Sequence, residues 1–150
     1  MRTLIALALT GVLAGCEMAT EPKISETTFA ASLNVDLSTM TVTSTGLYYK
    51  DLIVGTGAAT VSGQPVSIHY VGNLPGGLQF DANTAPATPF KFTLGVGQVI
   101  AGFDQGVTGM NVGGRRQVII PASLAYGHQA VGNIPANSIL VFTIDVVSVP

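Results

Sequence analysis

The chain has 150 residues, of which 47% are hydrophobic and 9% charged, with a formal net charge of -2. That length and apolar content suffice for one domain with its own core, while six Lys and Arg in all exclude a basic surface that could track a nucleic-acid backbone. A single cysteine excludes an intrachain disulfide and a cysteine-based zinc site, and no metal or other cofactor is expected.

Arg2 precedes an apolar run from Leu4 to Leu13 that ends in Leu13-Ala14-Gly15-Cys16. A positive start, a short apolar stretch and small residues before a cut predict an export signal over residues 1–15. The stretch is shorter than the roughly 20 apolar residues of a membrane-spanning helix. Leu-Ala-Gly-Cys resembles the lipobox of bacterial lipoproteins. That resemblance implies a diacylglyceryl group on Cys16, acylation of its amine, and a membrane tether, since stable anchoring takes more than one acyl chain. It places the mature chain in a bacterial cell envelope, facing the periplasm or the extracellular side.

Residues 16–45 are rich in Thr, Ser, Ala and Glu, with a weak apolar pattern at Phe29, Leu33, Leu37 and Met40. They are expected to form a flexible or marginally helical spacer. With no helical arm for dimerisation, a monomer is expected.

From residue 46 onward the pattern changes to short β-rich runs cut by glycine and proline, the signature of an antiparallel sheet. Residues 47–54 predict a first strand. Residues 64–73 predict a second, in which Val66, Ile68 and Tyr70 alternate with Ser67, His69 and Val71. Pro75-Gly76-Gly77 then breaks the chain ahead of Phe80-Asp81, and residues 90–94 alternate Phe90, Phe92 and Leu94 on one side. Gly95-Val96-Gly97 is expected to bend from strand to helix. Over residues 101–110 the period changes, with Phe103, Val107 and Met110 at helical spacing. A strand returns at Arg115–Ile120, where both arginines are expected to solvate the strand start. Residues 122–138 form a long loop with Tyr126 and His128, and loops of that length are usually functional. The final strand, 139–149, places Leu140, Phe142, Ile144 and Val146 on one face and Val141, Thr143, Asp145 and Val147 on the other, so it is expected to be partly buried on both sides. His69 faces away from Tyr70, and neither histidine has an acid beside it in sequence.

Val66-Ser67-Ile68-His69-Tyr70-Val71-Gly72, Phe80-Asp81, Pro89-Phe90-Lys91-Phe92, Val99-Ile100-Ala101-Gly102-Phe103, Val112-Gly113-Gly114-Arg115-Arg116, Ala125-Tyr126-Gly127, Ile134-Pro135 and Leu140-Val141-Phe142 stand in one order and spacing. Together they resemble the FKBP family of peptidyl-prolyl cis/trans isomerases over residues 46–150. The resemblance implies an α+β fold, an antiparallel half-barrel sheet wrapped around one short helix, and an aromatic pocket between them. Carried over position by position, the pocket comprises Tyr70, Phe80, Asp81, Phe90, Val99, Ile100, Phe103, Tyr126, Ile134 and Phe142. Strand alternation independently puts Tyr70 with Val66 and Ile68, and Phe142 with Leu140 and Ile144.

The implied activity is rotation of X-Pro bonds in proline-containing polypeptides, with Asp81, Tyr126, Phe103 and Tyr70 as the catalytic set and the other aromatic and aliphatic residues holding the substrate. By the same resemblance Asp81 accepts a hydrogen bond from Tyr70. Phe103 stands where many members carry tryptophan, Pro86 where some carry an arginine, and Ala130 or Val131 where a histidine is common. A non-catalytic peptide-binding module on the same fold is the alternative function.

Overall fold

The computed structural model describes residues 20–150. The expected leader over residues 1–15 and the expected lipidation site Cys16 lie outside the described residues. Seven antiparallel strands form one open sheet: β1 (Thr41–Val42), β2 (Tyr48–Ile53), β3 (Pro65–Asn73), β4 (Gln79–Asn83), β5 (Phe90–Thr93), β6 (Arg115–Ile120) and β7 (Leu140–Ser148). Their order is β1-β2-β6-β7-β3-β4, with β5 also paired to β3. The expected α+β architecture is thus what the chain adopts. Its one described α-helix, α1 (Ala101–Val107), is shorter than the 101–110 expected, because the chain turns out of the helix at Thr108 and Gly109 follows at φ +77°.

Alternation explains the layering. Val66 and Ile68 of β3, Val118 and Ile120 of β6, and Leu140, Ile144 and Val146 of β7 are buried on the face that carries α1, together with Phe103, Val107 and Met110. The helix sits close to the sheet because two of its residues are glycines: a Cβ on Gly102 would lie 2.2 Å from Ile120 Cγ2, and one on Gly106 would lie 2.9 Å from Val118 Cγ1. The helical cost of glycine is offset by this approach of backbone to strand.

The opposite face has its own core. Ile119, Ile139 and Val141 point away from the helix and are covered by Ile24, Phe29, Leu33, Val35, Leu37 and Met40. Where the sequence suggests a flexible or marginally helical spacer, residues 24–42 form a packed strap of three short 3-10 turns, Ile24–Glu26, Ala31–Leu33 and Leu37–Thr39, followed by β1. The reason lies in β7, whose two apolar faces both need cover from water. Gln117 Nε2 of β6 donates to Leu33 O at 2.7 Å, and Lys50 Nζ donates to Thr39 Oγ1 at 2.9 Å, fastening the strap to the sheet.

The expectation that both arginines solvate the start of β6 is corrected for Arg116. Its guanidinium pairs with Asp51 through bonds of 2.7 and 3.1 Å, donates to Gly106 O and Thr108 O at 3.1 and 3.3 Å, and lies 4.6 Å from the Tyr49 ring centroid. One buried cation thus ties β6 to β2 and to the end of α1, a use of the planar, multi-donor fork that strand periodicity does not reveal. Arg115 does remain exposed, in an ion pair with Asp145.

Candidate active site

Between α1 and the sheet lies an open cavity of about 320 Å³, lined by Tyr70, Phe80, Asp81, Phe90, Gln98, Val99, Ile100, Phe103, Tyr126 and Phe142. Seven segments contribute. β3 supplies Tyr70, β7 supplies Phe142, and the two flanking strands β4 and β5 supply Phe80, Asp81 and Phe90. The turn before α1 brings Gln98, Val99 and Ile100, the helix itself brings Phe103, and the long loop brings Tyr126.

Adjacent residues in a regular strand point to opposite faces, yet Phe80 and Asp81 both line this cavity. The pairing of β3 with β4 shows why: Gly72 pairs with Asp81 and Asn73 with Gln79, so Phe80 is an extra residue in a β-bulge. A bulge re-aims side chains locally. Gly72, opposite the bulge, is fixed by the same geometry, because a Cβ there would sit 2.7 Å from both the Phe80 and the Phe142 rings.

The rings form one connected group. Phe103, 4% exposed at the floor, meets Phe142 edge-on at 5.0 Å between centroids, Tyr70 at 5.7 Å and Phe92 at 5.9 Å. Phe80 meets Phe142 edge-on at 5.5 Å, and Phe90 stacks on Phe92 at 5.5 Å. These are the offset and edge arrangements that aromatic quadrupoles favour, and they fix the rings against collapse into the cavity. Phe90 and Tyr126, each 38% exposed, stand at the rim.

The polar groups are few. Tyr70 Oη donates to Asp81 Oδ2 at 2.8 Å. Burial, and then the adjoining Asp81 carboxylate, hold the Tyr70 phenol far above the ordinary tyrosine range, so it stays protonated as a donor. Tyr126 follows the 3-10 turn Ala122–Leu124, and its loop is braced internally: Gly127 N donates to Ala122 O at 2.9 Å and Asn137 N to Gly127 O at 2.8 Å. His128 hydrogen-bonds Asn137 across the same loop, and His69 bonds Asn83 at 2.8 Å, so both imidazoles brace structure outside the cavity.

Ile134 differs from the other residues carried over by resemblance. It is 6% exposed and packs in the core, outside the cavity wall. Two residues escaped sequence reasoning. Gln98 lines the cavity while its Oε1 accepts from Thr93 N at 2.7 Å. Asp104, 9% exposed on α1, accepts from Gly95 N at 2.8 Å and Gly97 N at 3.2 Å, fixing the turn that presents Val99 and Ile100. The signal for Asp104 was present as an acid in the first turn of the helix, seven residues past the second of two closely spaced glycines.

Residues 57–147 match the family model of the FKBP-type peptidyl-prolyl cis-trans isomerases. The chain is 52% identical over 103 residues to FK506-binding protein 3 of Candida albicans, an alignment covering 69% of this chain and 24% of that one. It thus spans about a quarter of the first curated relatives it matches, 24% in each of three fungal proteins. Against the FK506-binding protein of Streptomyces anulatus the identity is 50% over 106 residues, covering 69% of this chain and 86% of the relative. Among solved structures, AtFKBP13 superposes with a TM-score of 0.69 at 37% identity, covering 74% of this chain and 98% of that one. FkpA from Escherichia coli gives 0.68 at 35% identity, covering 74% and 51%. On these matches, and on the fold and cavity that accompany them, the chain belongs to the FKBP-type peptidyl-prolyl cis-trans isomerase family.

Proposed function

We propose that this chain accelerates cis/trans rotation of X-Pro bonds in polypeptides, with no covalent step. The observation that carries this reading is the aromatic cavity itself, open and walled by four phenylalanines and a tyrosine pair, with one carboxylate on its side. Rotation about the C–N bond sacrifices amide resonance, a barrier of ~18–20 kcal/mol, so the unaided exchange takes roughly tens to hundreds of seconds. The half-rotated imide carries a smaller C–N dipole than the planar one and loses less on leaving water. An apolar cavity therefore favours it over the ground state, which is the differential binding that catalysis requires.

In this reading Phe80, Phe90, Phe103 and Phe142 enclose the prolyl ring, and Val99 and Ile100 add apolar wall. The Tyr126 hydroxyl at the rim donates to a substrate carbonyl and orients it. Asp81, with Oδ2 engaged by Tyr70, presents its negative charge to the carbonyl carbon as that carbon rotates. A protease-coupled or direct absorbance assay of a cis-prolyl tetrapeptide tests the reading with the full chain in detergent. A first-order rate rising linearly with protein concentration is expected. No acceleration at micromolar protein, with the peptide nonetheless bound, would leave only the binding-module alternative.

We propose further that residues 1–15 are an export leader and that Cys16 carries the lipid anchor, placing the domain of residues 46–150 at a bacterial envelope membrane as a monomer acting on exported polypeptides. Support comes from Arg2, the apolar run and Leu13-Ala14-Gly15-Cys16. Ile24, the first buried residue of the strap, lies eight positions beyond Cys16, so an extended tether reaches at most about 28 Å. Metabolic labelling with radioactive palmitate, compared between wild type and Cys16→Ser, tests the anchor. An unlabelled wild-type protein rules it out.

A further inference from the structure

We propose that the strap around Ala30–Leu33 is a positioning element for the cavity, holding the β3–β4 turn and through it Phe80 and Asp81. The inference rests on the isomerase reading of that cavity. β4 ends the sheet order and pairs only with β3. It is five residues long and carries the bulge at Phe80, so few ladder bonds hold its register. The turn leading into it closes through Leu74 N to Leu78 O at 2.8 Å and Gly77 N to Leu74 O at 2.9 Å.

A further bond comes from outside the hairpin. Ala30 N donates to Pro75 O at 2.8 Å. The strap also crowds Gly77, where a Cβ would stand 3.2 Å from Ala30 Cβ and 3.3 Å from Ser32 Oγ. Three residues on from Ala30, Leu33 O accepts from Gln117 Nε2 of β6 at 2.7 Å. Between β6 and β4 in the sheet order stand β7 and β3. The strap therefore crosses the back of the sheet and ties the outermost hairpin to a central strand whose inner face is fully buried. A wall anchored in this way is held in place before substrate arrives, and small misplacements of such groups slow reactions strongly.

Ala30 has φ −60° and ψ 140°, angles that proline adopts without strain. Ala30→Pro in the full chain therefore keeps the local backbone angles, removes the N–H that reaches Pro75 and sets the ring Cδ against Pro75 O, which parts the strap from the turn. We expect kcat/KM on the cis-prolyl tetrapeptide to fall roughly three- to ten-fold, and the amides of β4 to exchange with solvent about ten-fold faster while those of β6 and β7 do not change. Gln117→Met, which cuts the fastening to β6 and leaves the turn untouched, gives the same two changes at smaller size and serves if Ala30→Pro does not fold. Ile24→Ala thins the cover away from the turn; its melting temperature falls, yet its kcat/KM stays within about two-fold of wild type. Unchanged β4 exchange and turnover in the first two variants, or an equal loss of turnover in Ile24→Ala, would show the strap to be cover alone and overturn the proposal. A wild type without turnover defeats the isomerase reading instead, and β4 exchange still decides the positioning role.

Discussion

Tyr70 and Asp81 meet diagonally across the β3–β4 pair: Tyr70 is in register with Asn83, Asp81 with Gly72, and the Tyr70 hydroxyl closes the diagonal at 2.8 Å. Diagonal neighbours lie within reach of one another only when one side chain is long, and the tyrosine is. The bond orients the only carboxylate on the cavity wall.

Tyr70→Phe keeps the ring contacts with Phe90, Phe103 and Phe142 and removes the donor. We expect kcat/KM to fall about three- to ten-fold, the equivalent of one ordinary hydrogen bond of ~1 kcal/mol. Asp81→Asn should cost a similar factor, and the double variant little more than the larger single one. Full additivity in that cycle would separate the two residues.

The same pair sets an alkaline limit. Folding raises the Tyr70 pKa above its ordinary value of 10.0, first through burial and then through Asp81, so the folded state holds this proton more tightly than the unfolded chain. The resulting stabilisation is complete below about pH 10 and is lost as pH rises beyond it. Urea midpoints measured from pH 8 to 12 should decline more steeply for wild type than for Tyr70→Phe. Parallel curves would mean that Tyr70 contributes nothing to the decline.

Gly72→Ala should disturb the wall from beneath. The added methyl meets the Phe80 and Phe142 rings at 2.7 Å, and overpacking of this kind costs about 1–3 kcal/mol. Thermal unfolding reads the stability loss, and the tetrapeptide assay should show a larger fractional loss of kcat/KM than the same substitution at Gly76, where a Cβ meets nothing within 4 Å.

Arg116→Lys should not be conservative. Lysine offers a point charge in place of a guanidinium that serves Asp51, Gly106 and Thr108 together, and leaves carbonyls without donors. Because the Asp51 side chain is 36% exposed, the cost is about 2 kcal/mol rather than that of a fully buried pair. A melting temperature within 2 °C of wild type, where about 4 °C or more is expected for each kcal/mol in a domain of this size class, would refute this.

A fragment of residues 46–150 should be unstable. It exposes Ile119, Ile139 and Val141, which the strap covers, and each fully buried residue of that size stabilises by about 1.5–3 kcal/mol, set against the ordering of the strap. Circular dichroism should show a melting temperature lower by roughly 10 °C or more than that of residues 20–150. Equal melting temperatures would make the strap dispensable to the fold.

Much of this protein is legible from its residues in order. Alternation over Val66, Ile68 and Tyr70, and over Leu140, Phe142 and Ile144, marks the inner face of the sheet, because a pleated strand has a period of two whatever it pairs with. The spacing of Phe103, Val107 and Met110 marks the helix for the same kind of local reason. The apolar outer face of β7 even signals that something must cover it, since Val141 alternates with residues already committed to the inner core.

What covers it was decided only in three dimensions. Phe29, Leu33, Leu37 and Met40 read as a weak helical pattern, and a pattern names no partner; the strap forms because it closes the outer core over Ile119 and Val141. Likewise no local rule turns both Phe80 and Asp81 to one wall, buries Arg116 against Asp51 or aims Asp104 at the Gly95 and Gly97 amides. Local periodicity follows from backbone geometry within a few residues, whereas a bulge, a buried ion pair and a docked strap are settled by contacts between residues distant in the chain, and those exist only once the sheet has closed.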